Sequence, residues 1–338
     1  MFEFSLSRKS LNHRIAALVR AAVATAAAIV FAVPCMAAGW PDRPIQMVVP
    51  FPPGSSPDIL ARIISEPLAQ ALGQPVIVEN KPGAGGNIGT RNASKAKPDG
   101  YTILLTINGP IVTAPALYKK TLGYDPNHDL KPISLVGTSP NILIVPASSP
   151  ARTVKEFVAM AKLKPGDLNY GTVGPGSSSH LSMAMLEHLA GISLQQIPYS
   201  SFPQIITSII NGDVQAGFMV PGIAMPQITA QKVRALAITS LKPSDVLPGI
   251  PTMDSEGYAG FESISWDALF APRDTPDQIV QRFNMEITKI LARPDVKQKM
   301  AALYFTPAPS SPGELTTLIH AETIRWGEVI NRLNLSLD

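Results

Sequence analysis

One arrangement occurs twice and constrains the rest of the chain: a short apolar strand runs into a turn of Gly, Ser and Pro, and a helix starts at once. In the first copy Ile45-Gln-Met-Val-Val-Pro50 is the strand, Phe51-Pro-Pro-Gly-Ser-Ser-Pro57 the turn, and an amphipathic pattern continues toward Gly73. In the second, Leu168-Asn-Tyr-Gly171 passes through Thr172-Val-Gly-Pro-Gly-Ser-Ser-Ser179 into a helix from His180 to Ala190, closed by Gly191. Open α/β sheets collect small ligands beyond the carboxyl ends of their strands, where helix N-termini offer unpaired N–H groups and partial positive charge. Ser56 is expected to cap the first helix, with Pro57 at its first position and Asp58 complementing the dipole. Two such turns facing each other would grip an anion from both sides, with no arginine required. The plain alternative for either turn is an ordinary capped βα connection.

With 338 residues the chain exceeds one small core, and two lobes are expected. Residues 1–37 read as a secretory signal: Arg8, Lys9, Arg14 and Arg20 form a basic start, Ala21 to Val33 is apolar, and Cys35-Met-Ala37 offers small residues for cleavage before Ala38. The apolar run falls short of the roughly 20 residues a spanning helix needs. Cys35 is the sole cysteine, so the processed chain is expected to carry no thiol and no disulfide, compatible with an oxidising compartment. The formal charge of +3 belongs almost wholly to the leader; without it acidic and basic residues balance, which leaves no attraction for nucleic acid.

Between the two turns, Gln74 to Asn80 is β-branched and suits a buried parallel strand, and Pro67 is expected to bend the helix before it. Lys81-Pro-Gly-Ala-Gly-Gly-Asn-Ile-Gly89 then opens a helix. Its spacing is G-x-G-x-x-x-G, Pro82 interrupts it, and it follows the second strand, so close packing and turning explain it better than a nucleotide site. An α/β enzyme using Gly83 to Gly89 for a nucleotide is the competing class. Tyr101 to Thr106 is a third strand, ending in Asn108-Gly-Pro110 beside the first turn. Pro132–Gly137 and Asn141–Pro146 read as two further strands, with a crossing into a second lobe near Ser139, and Ser263 to Pro272 as the strand that returns. Three final helices, Thr275–Ala292, Pro294–Leu303 and Ser311–Leu333, complete the first lobe.

His180 follows Ser177, Ser178 and Ser179, yet adjacent positions at a helix start do not set a base against a nucleophile, and no G-x-S-x-G elbow occurs. Capping and ligand hydrogen bonding are the expected roles, so the chain is read as a non-enzyme. His128, His188 and His320 are scattered, and neither a metal nor a cofactor is expected. Phe51, Tyr199, Met219 and Trp266 are candidates to wall a pocket, against a plain core role for Trp266 and Met219. Met183, Met185, Met219 and Met225 suit core filling.

Trp40-Pro-Asp-Arg-Pro-Ile45, Val48-Val-Pro-Phe-Pro-Pro-Gly54, Leu72-Gly-Gln-Pro-Val-Ile-Val-Glu-Asn-Lys-Pro-Gly-Ala-Gly-Gly-Asn-Ile-Gly89 and Pro98-Asp-Gly-Tyr-Thr102 occur in order. Leu168-Asn-Tyr-Gly171, Val233-Arg-Ala-Leu-Ala-Ile-Thr-Ser240 and Leu269-Phe-Ala-Pro272 follow. In these motifs, spread over the whole processed chain, the sequence resembles the Bug-type receptors, the extracytoplasmic solute-binding components of tripartite tricarboxylate transporters. The resemblance implies a type II periplasmic-binding-protein fold: two α/β lobes joined by two crossing strands, with the ligand cleft between them. Residues 38–138 with 262–338 would form lobe 1 and 139–261 lobe 2. It further implies a periplasmic receptor that closes on a small carboxylate ligand and presents it to a membrane transporter or a sensor; a monomer is expected.

In the family the first βα turn and the Gly/Ser turn of the second lobe hold a ligand carboxylate. The matching positions here are Gly54, Ser55, Ser56 and Asp58, then Gly176, Ser177, Ser178, Ser179 and His180, with Thr106 and Asn108 at the neighbouring strand end. Departures bear on specificity. Pro57 removes a hydroxyl and an N–H donor from the first turn, Ser200-Ser-Phe202 stands where Lys-Gly-Gly is common, and Gln215 and Met219 replace frequent acidic residues. Without a carboxylate at Met219, an apolar or aromatic-bodied acid is expected rather than an acidic amino acid.

Overall fold

The computed structural model describes residues 39–338, so the secretory leader read at 1–37 lies outside the described residues. The first turn of the chain runs β1 (Ile45–Val49), α1 (Ser56–Leu72), β2 (Val76–Asn80), α2 (Asn87–Ser94), β3 (Thr102–Ile107) and β4 (Leu130–Pro140). A middle section follows: β5 (Ile142–Pro146), α3 (Val154–Leu163), β6 (Asn169–Thr172), α4 (Ser178–Ala190), β7 (Gln195–Pro198), α5 (Phe202–Asn211), β8 (Gly217–Met219), α6 (Pro221–Thr229) and β9 (Val233–Ile238). The last section is β10 (Ile264–Pro272), α7 (Asp277–Ala292), α8 (Pro294–Ala301), β11 (Thr306–Pro307) and α9 (Pro312–Arg332).

Six of these strands form one sheet in the order β11-β4-β10-β3-β1-β2. β1 pairs in parallel with β2 and β3, as βα connections dictate, whereas β10 returns antiparallel between β3 and β4. A second sheet, β8-β5-β9, and the parallel pair β6-β7 come from the middle section. β4 ends at Pro140 in the first sheet and β5 begins at Ile142 in the second, so Asn141 is the crossing point. There the Asn141 N–H donates to Thr239 Oγ1 at 2.8 Å, and that hydroxyl donates to the Ser263 carbonyl at 2.7 Å, tying the outgoing and returning chains together.

Several elements differ from the sequence reading for local reasons. Pro132 does not delay β4, because a register shift in its pairing with β10 accommodates the ring and its other edge is unpaired there. β2 is an edge strand with Ile77 56% exposed, not a buried one, since it pairs with β1 alone. The helix expected to run toward Gly73 does so, ending at Leu72 with Pro67 inside it. Gly109–Thr113 and Ala114–Leu117, where the sequence reading placed no element beyond the Asn108-Gly-Pro110 strand end, are helical and pack against α9. One buried cluster spans both sheets, joining Val48, Leu104 and Phe270 to Leu143, Phe218 and Phe261. A second, with Ile142, Ile144, Ile205 and Ile238, fills the other face of the middle sheet.

Candidate functional site

The second Gly/Ser turn spends most of its polar groups on itself. Ser177 caps α4: its Oγ accepts from the His180 N–H at 3.3 Å and donates to the Gly174 carbonyl at 2.7 Å. Ser179 Oγ accepts from the Val173 N–H at 3.2 Å, and His180 Nδ1 accepts from the Gly176 N–H at 3.0 Å. α4 therefore starts at Ser178, two residues before the sequence reading placed it. Burial holds the His180 imidazole below its ordinary pKa, and the Gly176 donor places the proton of the neutral ring on Nε2. What remains without a protein partner among the described residues is the N–H of Ser178, the N–H of Ser179 and the Ser178 hydroxyl.

The first turn is tied through Asp58. Its cap is Ser55, not Ser56, and the Ser55 hydroxyl donates to the Pro52 carbonyl at 2.7 Å. Asp58, 3% exposed, accepts from the Gly54 N–H at 2.9 Å, from Asn80 Nδ2 at 2.9 Å and from the Arg62 guanidinium at 2.9 Å. Burial pushes the Asp58 carboxyl up, but these three donors outweigh it and hold the pKa below the ordinary value.

A cavity of about 410 Å³ lies between these parts of the chain. Phe51, Ile107 and Asn108 wall it from the first sheet; Gly176, Ser177 and Ser178 wall it from the α4 turn; Ser263, Ile264 and Ser265 wall it from the returning strand. Asn108 Nδ2 donates to the Ile264 carbonyl at 3.1 Å, leaving its oxygen as an acceptor. The remaining wall includes Leu117, Leu181, Phe202, Trp326 and Leu337. No acidic or basic side chain is among the wall residues.

The glycine-rich turn supplies the wall that the first βα turn was expected to supply. Ala84 and Gly85 reach the cavity, and their N–H groups have no protein acceptor among the described residues. Ala84, Gly85 and Gly86 all have positive φ, at 47°, 64° and 98°. Gly86 must be glycine for space as well, because a Cβ there would stand 2.7 Å from Phe51 Cζ. Close packing, read from the sequence, thus holds for Gly86. The cavity-facing position of Ala84 and Gly85 was missed, although a run of backbone donors at a strand-to-helix turn was the available signal.

Of the residues picked from the sequence, Phe51, Asn108, Gly176, Ser177 and Ser178 meet at this cavity, while Gly54, Ser55, Ser56, Asp58, Ser179 and His180 are not among its wall residues. Thr106 is fully buried, because strand alternation turns it to the face opposite Ile107, where it pairs with Ala268. Trp266 is 1% exposed and its indole N–H donates to Glu322 Oε2 of α9 at 2.8 Å, a core role. Met219 is fully buried opposite Ile142, so its identity says nothing about a ligand ammonium group. Tyr199 borders a separate open depression with Pro203, Gln204, Thr207 and Ser208. Ser263, Ser265, Leu117, Trp326 and Leu337 were not anticipated.

Two α/β halves joined by β4 and β10, with a cavity where the Gly/Ser turn before α4 meets the glycine-rich Ala84–Gly85 turn, define a type II periplasmic-binding-protein fold. Residues 60–335 match the model of the tripartite tricarboxylate transporter family receptor, and the chain belongs to that family. BugT of Bordetella pertussis is 33% identical over 324 residues, covering 96% of this chain and 98% of the relative. Among solved structures, R. palustris Rpa4515 with adipate is 31% identical with a TM-score of 0.76, over 88% of this chain and 100% of that one. The periplasmic binding protein BugD is 35% identical with a TM-score of 0.72, over 88% and 99%.

Proposed function

We propose that this chain is a periplasmic receptor that captures a small carboxylate-bearing solute between two lobes and delivers it to a membrane transporter, without catalysing a reaction on it. The observation that carries this reading is a cavity whose wall has no charged side chain but collects free N–H groups of Ser178, Ala84 and Gly85 with the Ser178 hydroxyl. Such a wall favours an anion, because unpaired amides at a helix start carry partial positive charge and charge-assisted bonds contribute roughly 1.5–3 kcal/mol each. It offers a ligand ammonium group no carboxylate. Phe51, Leu117, Leu181 and Phe202 suit an apolar or aromatic body. The adipate held by the related R. palustris protein fits the same chemistry.

Residues 38–138 with 262–338 are assigned to lobe 1 and 139–261 to lobe 2, with the crossings at Asn141 and Ser263 as hinges. A ligand touching both lobes binds the closed form better than the open one and shifts the population toward it. Residues 1–37 act as the export signal in this scheme, which amino-terminal sequencing of the exported protein checks. Binding is checked by thermal unfolding of the processed protein with a panel of mono- and dicarboxylic acids. A ligand at 100 times its Kd adds about 2.7 kcal/mol of stability. An absence of any shift across the panel removes the reading, whereas tightest binding of aspartate or glutamate reverses only the preference for an apolar or aromatic-bodied acid.

A further inference from the structure

We propose that the segment Leu333–Asp338 is a strap that closes one side of the ligand cavity and sets how long a ligand body the receptor accepts. After α9 the chain reverses at Asn334, whose φ of 50° is left-handed. The Leu335 N–H returns to the Ile330 carbonyl and the Asn334 N–H to the Asn331 carbonyl, both at 3.1 Å, an arrangement that ends a helix and turns the chain back along it. From there the sequence alternates. Leu335 and Leu337 are half-buried, while Asn334, Ser336 and Asp338 are exposed, as expected of an extended segment laid on an apolar surface.

The strap is fastened at its far end. The Leu337 N–H donates to the Leu117 carbonyl at 2.8 Å, and the Asp338 side chain accepts from the Lys120 N–H at 2.8 Å and from Thr121 Oγ1 at 3.3 Å. Leu337 and Leu117 both wall the cavity, with Leu181 of α4 and Trp326 of α9. Leu117, Leu181 and Trp326 belong to one buried cluster, and Leu335 and Leu337 pack on it. Leu117 also meets the α4 turn directly: a Cβ on Gly176 would lie 2.6 Å from Leu117 Cδ1. The strap therefore holds the backbone of the residue that abuts the Gly176–Ser178 anion-receptive turn, and adds Leu337 to the same wall. A ligand anchored by its carboxylate at Ser178 extends its body against this apolar side, so the position of Leu337 limits its length.

The inference rests on the receptor reading above, and titration calorimetry separates the two. The processed wild-type protein is titrated with succinate, adipate and suberate and with the monocarboxylates of the same chain lengths, and then Leu337→Trp, Leu337→Ala and Asp338→Ala are titrated with the same acids. Leu337→Trp is expected to weaken the best wild-type ligand about tenfold and to move the optimum to a shorter acid, as added bulk in a packed site does. Leu337→Ala and Asp338→Ala, which shorten or unfasten the strap, are expected to move the optimum to a longer acid. A segment that only stabilised the fold would lower all affinities together and leave the order of chain lengths unchanged. Wild-type binding with an unchanged order in every variant overturns the strap alone. A wild-type protein that binds none of the acids removes the receptor reading and the strap with it. Asp338→Ala leaves the cavity wall intact and keeps the comparison decisive if Leu337→Trp does not fold.

Discussion

The amide of Gly176 donates a 3.0 Å hydrogen bond to Nδ1 of His180, so the Gly/Ser turn in the cavity wall is held by a titratable ring. Burial depresses the His180 pKa in the folded protein relative to about 6.5 in an unfolded chain. The unfolded state then binds more protons in the window just below 6.5. The stability from this bond is complete above that pH and is lost as pH falls through the folded pKa, because a proton on Nδ1 ends its role as acceptor. Urea unfolding at pH 7.5 and 5.5 is expected to show wild type losing about 1 kcal/mol more than His180→Asn, whose amide oxygen accepts without titrating. Equal losses in the two proteins would show that the ring does not hold the turn.

Glu322 acts with the opposite sign. Burial pushes its carboxyl up to about 7, against the Trp266 indole and the Arg325 guanidinium, which pull it down. The folded protein therefore retains a proton that an unfolded chain releases above about 4.3, and this contribution to stability is lost as pH rises through 7. Glu322→Gln keeps an oxygen for Trp266, and Arg325 keeps Glu262 at 3.2 Å. The variant is expected to match wild type near pH 4 and to exceed it at pH 8 by on the order of 1–3 kcal/mol, read from denaturant midpoints. A variant less stable than wild type at pH 8 would mean that the buried charge is compensated after all.

These two residues also mark where the sequence stopped being legible. Strand, turn and helix at Leu168–Ala190 follow from apolar runs, glycines and capping serines, all local signals, and the fold class followed from their order. The first turn had the same local signals, yet its Gly54 N–H is taken by Asp58 and its Ser55 N–H and hydroxyl by the Pro52 carbonyl, and Asp58 is itself oriented by Asn80 from the end of β2. No pattern within Phe51–Arg62 announces that distant partner. Thr106 and Met219 were misread because one residue of strand parity decides core against cavity. Gly109-Pro-Ile-Val-Thr-Ala-Pro115 carries two prolines and poor helix formers, and becomes helical only where α9 packs against it. Leu337 lies more than two hundred residues in sequence from the Leu117 region that it joins, so its place on the wall had no local signature.

Gly89 is a glycine for want of space. It sits in α2, and a Cβ there would stand 2.5 Å from the Lys81 carbonyl oxygen and 2.8 Å from Pro50 Cα, both backbone atoms that cannot rotate away. Gly89→Ala is expected to destabilise the protein by about 1–3 kcal/mol despite alanine's better helix propensity. It is also expected to weaken binding of carboxylates, since the displaced α2 carries the Ala84–Gly85 donors with it. Thermal unfolding and calorimetry check the two effects; a stabilised variant would show that α2 does not pack as closely as described.

Ser178 separates the demands of folding from those of binding. It occupies the first turn of α4 with a free N–H and a free hydroxyl, where the partial positive charge of the helix is least compensated. An aspartate there neutralises that charge from within the chain. Ser178→Asp is expected to raise stability by about 0.3–1 kcal/mol in urea unfolding without ligand. Adipate, in contrast, is expected to bind at least about tenfold more weakly, because its carboxylate then meets a like charge where it otherwise meets donors. Ser178→Ala removes only the hydroxyl and is expected to weaken binding by a smaller factor with stability nearly unchanged. If Ser178→Asp left binding intact, the carboxylate would have to be held elsewhere on the wall, with the Ala84–Gly85 amides next in line.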